Sequence, residues 1–136
     1  MTRLALAAVM ALAAAAPAHA AGHRVECPAL APAEWGTPRA ALSGIDVLAT
    51  PAGEAIDDKA PPTLVPDADD ITGNVLNQRW DMRSYDSGWR LFIDCHYRDR
   101  VVRLEASGIK SCARRLAPFS RAKGAGPHAK DSLYCD

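Results

Sequence analysis

Asp94 and His96, two residues apart, are the pair in this sequence whose types could do acid–base chemistry. A carboxylate beside an imidazole fixes its tautomer and lets the ring act as a base or proton shuttle. A hydrolase also needs a nucleophile, and no serine or free thiol is placed by spacing to serve this pair. His23 lies near the N-terminus and His128 in a Gly/Pro stretch, both read as mobile. Cys27, Cys95, Cys112 and Cys135 lack Cys-x-x-Cys spacing, which argues against a redox dithiol or a zinc site. Asp67-Ala68-Asp69-Asp70 opens like a calcium loop but lacks the glycine at the sixth position and the distal glutamate. No glycine-rich phosphate loop follows a strand, and aromatic residues are too few for a nucleic-acid stacking platform. The expectation is therefore a protein that binds rather than an enzyme, with no metal and no cofactor. A small periplasmic hydrolase using His96 and Asp94 is the alternative from another class.

The elements that position these residues read as strands. From Trp89 to Tyr97 the residues Trp89, Leu91, Ile93, Cys95 and Tyr97 share one parity, and Arg90, Phe92, Asp94 and His96 the other. Period two is the mark of a half-buried strand. A tight turn at Asp99-Arg100 leads into residues 101–106 and pairs Tyr97 with Val102, Cys95 with Leu104 and Ile93 with Ala106. Further strands are expected over residues 109–116, 42–49 and 78–83, with terminal strands at 24–28 and 132–136. Residues 50–73, rich in proline and aspartate, read as one long ordered loop with room for a helical turn, and residues 124–130 as a flexible connection. The expected fold class is all-β, a small antiparallel sheet curled into a sandwich or partly closed barrel.

On this parity Arg90, Phe92, Asp94 and His96 face solvent. An aromatic side chain flanked by an arginine and a histidine has the composition of a protein-binding hot spot. Substituting Phe92 should then spare the fold and weaken binding, while Leu91→Ala should open a core cavity.

Residues 1–20 carry the layout of a secretory signal peptide. Arg3 gives a short basic start, residues 4–16 an apolar run, and Ala18-His19-Ala20 a cleavage site. The run is too short to span a bilayer, which takes about 20 residues. Residues 21–136 are expected to form one soluble, disulfide-bonded domain in the periplasm, with no membrane anchor. The formal charge is zero, so no global basic field argues for nucleic acid. The charges are segregated, however. Asp46, Glu54, Asp57, Asp58, Asp67, Asp69 and Asp70 precede a basic stretch from Arg79 to Lys130. Such a split suits either pairing within the molecule or steering of an oppositely charged protein, with Asp67, Asp69 and Asp70 as a second candidate contact.

Four cysteines allow three pairings. Strand parity turns Cys95 to the core and Cys112 away, which disfavours a Cys95–Cys112 bridge. Of the remaining two, Cys27–Cys95 with Cys112–Cys135 is preferred, because the second bridge staples a glycine-rich tail.

Several short motifs together resemble a family of small, exported, uncharacterised proteobacterial proteins. They are Cys27-Pro28, Ile45-Asp46-Val47-Leu48 before a Pro/Gly turn and Glu54, Leu64-Val65-Pro66-Asp67, and Trp80. Trp89 six residues before Cys95, Tyr97 after it, and Ile109-Lys110-Ser111-Cys112 complete the set. The founding member comes from a Salmonella region carrying type VI secretion genes. The resemblance implies a periplasmic immunity protein that neutralises a peptidoglycan-active toxin. The chain departs from the pattern at Ala49-Thr50, where an Asp-Gly-like turn is expected, and in a long segment before Leu64. A second, architectural likeness is to periplasmic inhibitors of C-type lysozyme, with Ser87-Gly88-Trp89 resembling their Ser-Gly loop. Their accompanying tyrosine motif is not evident.

Overall fold

The computed structural model describes residues 24–136. The signal-peptide reading of residues 1–20, and His23, lie outside the described residues. Eight strands follow in order: β1 (Val25–Glu26), β2 (Gly44–Pro51), β3 (Ala68–Thr72), β4 (Val75–Asp81), β5 (Trp89–Tyr97), β6 (Arg100–Glu105), β7 (Ser111–Ser120) and β8 (Gly124–Cys135). A single 3-10 turn, Ala33–Trp35, is the helical element among the described residues. The strands form two antiparallel sheets, β2-β5-β6 and β1-β8-β7-β4-β3, not closed into a barrel. The sandwich form of the expectation therefore stands, with two sheets in place of one.

β5 starts and ends where its periodicity places it, and Leu91, Ile93, Cys95 and Tyr97 are buried to 1% exposure or less. Its hairpin to β6 turns one residue earlier than expected. The two-residue turn is Arg98-Asp99, with Arg98 at a φ of 58°, the left-handed conformation such a turn requires. Tyr97 pairs with Arg100, Cys95 with Val102 and Ile93 with Leu104. The pairing is thus displaced by two residues, and an even displacement keeps every side chain on its face.

The second sheet supplies the other half of the core. Val25, Cys135, Cys112 and Trp80 form one inward row across β1, β8, β7 and β4. They pack in one cluster with Ile45, Val47, Leu91 and Ile93 of the three-stranded sheet. Both disulfides are as expected, Cys27–Cys95 and Cys112–Cys135. The parity argument against Cys95–Cys112 was unsound all the same. The chain crosses to the other sheet between β6 and β7, so Cys112 faces the same core from the opposite side.

Two loop expectations are corrected. Residues 68–72 are strand β3, paired along its length with β4. Residues 124–130 belong to β8, so His128 sits on a strand. Residues 61–64 run along the free edge of β2, where Leu48 bridges Thr63 and the Leu64 amide donates to the Val47 carbonyl at 2.7 Å. In each case backbone pairing supplies the order that the apolar pattern lacks.

Candidate protein-binding surfaces

The face of β5 that turns from the core holds Arg90, Phe92, Asp94 and His96, as parity requires, but it is not open to solvent. Phe92 is 7% exposed and Asp94 4%. Leu48 of β2, the cross-strand partner of Phe92, is 0% exposed although it lies outside the shared core. The segment between β2 and β3 crosses this face, since Asp58 Oδ1 accepts a hydrogen bond from Arg103 at 2.9 Å. The exposed hot spot centred on Phe92 is therefore corrected. Its ring is covered, with the Arg90 guanidinium 4.8 Å from its centroid. Arg90 is exposed and pairs loosely with Glu105 at 3.5 Å, and His96 is half-buried.

Beside this apolar pair lies a charge cluster that the sequence reading missed. Register places Asp46 directly opposite Asp94, two like charges that repel at this spacing. Each carboxylate has its own hydrogen-bond partner. Asp94 accepts two hydrogen bonds from Arg103, at 2.7 and 2.8 Å, in the bidentate geometry arginine favours. Asp46 lies 2.8 Å from His96 Nε2. Because an ionised carboxylate only accepts, that nitrogen carries the shared proton. The hydrogen bonds to Asp94 hold the Arg103 guanidinium above its ordinary pKa, against desolvation. The hydrolase pairing of His96 with Asp94 is thus corrected, for the imidazole's carboxylate is Asp46. The neighbouring Ser43 hydroxyl is committed to the backbone of His96 and Arg98.

The acidic candidates are divided by the pleat of β3. Asp67 precedes the strand and its carboxylate accepts from the Asp81 amide at 2.6 Å. Asp69 and Asp70 alternate across the strand, so they point to opposite faces. Part of the acidic stretch pairs within the molecule, Asp46 with His96 and Asp58 with Arg103. Asp67, Asp69 and Asp70 are exposed and have no salt bridge among the described residues.

Elsewhere, nothing among the described residues covers the outer face of the five-stranded sheet. Glu26, Tyr134, Ala113, Arg79 and Ala68 form one outward row across it. Small residues in mid-sheet leave two open depressions, about 940 and 400 Å3, that share Arg79, Ala113 and Tyr134. Nearby, Arg83 grips Asp81 through its side chain and amide and holds that carboxyl down at about 2. At the end of the sandwich Val65 is 85% exposed, beside Tyr85 and Trp89. No sequence periodicity marks Val65, because it sits in a segment shaped by hydrogen bonds at its ends.

Among the described residues no helix is long and apolar enough to cross a membrane. The two disulfides suit an oxidising, exported environment. Set against family models, curated proteins and solved structures, the chain matches none.

Proposed function

We propose that this protein works in the periplasm by binding and neutralising a cell-wall-active enzyme, and that the enzyme is a toxin delivered by type VI secretion. The observation that carries the reading is how the half-buried charges are used. Arg103 ties β5 and β6 to the segment over them, and Arg114 ties β7 to β8 through Asp131 at 2.6 and 2.8 Å. With two disulfides, these groups are spent on rigidity, and the side chains left uncommitted stand at the surface. A preordered surface is what an inhibitor needs, because it loses little entropy on binding. Export and the family resemblance point the same way.

A gene deletion should make cells sensitive to a toxin-delivering sibling strain, and periplasmic expression of residues 21–136 should restore resistance. Unchanged survival of the deletion strain against every sibling tested would remove the reading. Inhibition of C-type lysozyme is the second reading. It is favoured by the exposed Asp86-Ser87-Gly88 turn, whose Gly88 amide is fixed to Asp86 Oδ1 at 3.0 Å. An assay of muramidase activity separates it from the first.

A further inference from the structure

We infer that the contact surface is the end of the sandwich built around Val65, Tyr85 and Trp89, and that it seats in an apolar hollow with a basic rim on the partner enzyme. The inference rests on the binding function proposed above and adds its location and the chemistry of its occupant.

Val65 is the most exposed of the large apolar side chains at the described surface, at 85%. Its exposure is not looseness. On one side, the Leu64 amide donates to Val47 and the Leu64 carbonyl accepts from Trp80 Nε1 at 3.2 Å. On the other, Asp67 is bound through its amide to Arg79 and through its carboxylate to Asp81. Val65-Pro66 is therefore a two-residue span between fixed posts, with proline limiting what freedom remains. Holding an apolar side chain rigidly in water gains nothing for the monomer. It removes the ordering cost that a flexible tip would meet on binding.

Two aromatic rings extend the tip. Val65 and Tyr85 line the same small depression, and Tyr85 meets Trp89 edge to face at 5.3 Å between centroids. Trp89 is 38% exposed and its amide is tied to Asp86 at 3.0 Å. Aromatic anchors around an apolar centre are the usual make-up of a hot spot.

Charge identifies the occupant. Glu54, Asp67 and Asp86 stand around the tip without salt-bridge partners among the described residues; the Ala52 amide, bonded to Gly88, brings the Glu54 turn alongside. Of the neighbouring cations, Arg83 is held by Asp81, Arg90 pairs loosely with Glu105, and Lys110 lies opposite Met82, whose amide donates to its carbonyl. An apolar centre in an acidic surround fits a cationic cleft, and the encounter should weaken as salt rises.

The test uses the oxidised protein, residues 21–136, in calorimetric titrations against two probes. These are chicken egg-white lysozyme and the purified toxin encoded beside the gene. For whichever probe the unaltered protein binds, Val65→Glu should weaken binding about ten-fold or more, in line with a central anchor. Its melting temperature should stay put, because Val65 makes little contact with the fold. Glu54→Gln should reduce the salt dependence, and Arg115→Glu, on the bare sheet face, should bind as the unaltered protein does. If Val65→Glu binds normally, this location is wrong while the binding function stands. If the unaltered protein binds neither probe, both fall together.

Discussion

Each sheet turns one face away from the shared core, and the two outward faces are finished differently. On the three-stranded sheet, Leu48 and Phe92 put apolar side chains on the outer side, and the segment between β2 and β3 lies over them, held by Asp58 to Arg103. As a result β5 is buried on both faces from Leu91 to Cys95. On the five-stranded sheet the outward row is Glu26, Tyr134, Ala113, Arg79 and Ala68, and nothing among the described residues covers it. Composition decides the difference. A large apolar side chain left in water forgoes about 1.5–3 kcal/mol of burial, whereas charged and small residues such as Glu26, Arg79, Ala113 and Ala68 forgo little. The small sheet thus gains a third layer, and the large one remains a surface.

Breaking the bridges tests this contrast most strongly. Cys27–Cys95 spans 68 residues and ties the N-terminal segment to the central strand of the small sheet. Cys112–Cys135 spans 23 and joins residues already paired in the ladder of β7 and β8. Loop-closure entropy assigns the first about 4 kcal/mol and the second about 3 kcal/mol. Replacing each pair by serine and measuring urea unfolding should give that order. A larger loss from the Cys112–Cys135 pair would mean that the large sheet, not the layered small one, holds the fold together.

The next test compares the faces themselves. Phe92→Ala should destabilise the domain by about 3 kcal/mol, the cost of emptying a buried aromatic site. Leu91→Ala, facing the shared core, should cost about the same amount. Arg115→Ala, on the bare face, should stay within about 0.5 kcal/mol. If Phe92→Ala proved as mild as Arg115→Ala, the covering layer would be loose in solution and the small sheet's outer face open after all.

Phe92 also shows what the sequence could tell and what it could not. Alternation along β5 placed it on the outer face, because side-chain direction is a local property of a strand. Its burial depends on Thr63 reaching Leu48 and Asp58 reaching Arg103, and neither separation leaves a periodic trace. The same holds for Asp46, whose place beside His96 follows from cross-strand register alone. Residues 124–130 carry the pattern of a loop, because no apolar residues alternate there. They form a strand because β7 pairs with them, Ala117 with Lys130 and Phe119 with Ala125. The cysteine pairing was legible, but through the tail that needed anchoring; the parity used against Cys95–Cys112 belonged to a single sheet that the protein does not form.

The smallest effect expected is one of pH, and it separates the two kinds of ion pair. Arg103 and Asp94 lie under a covering segment, whereas Asp81 and Arg83 are paired on the rim of the bare face, open to water and salt. The hydrogen bonds from Arg83 lower the Asp81 carboxyl from 3.8 to about 2. A carboxyl depressed by folding binds its proton more weakly in the folded chain than in the unfolded one. Its contribution is therefore complete above about pH 4 and is lost as the pH falls from there toward 2. Asp81→Asn has no such group to titrate. The difference in urea midpoint between the unaltered protein and Asp81→Asn should be constant from pH 7 to pH 5 and then shift against the unaltered protein down to pH 2. Taking the difference removes the other carboxyls, which titrate in both. Because the pair is open to solvent, raising the salt should shrink this shift, while the stability lost in Phe92→Ala should not depend on salt. A shift that survives high salt would mean that Asp81 is sheltered, and that the rim of the large sheet is covered much as the small sheet is.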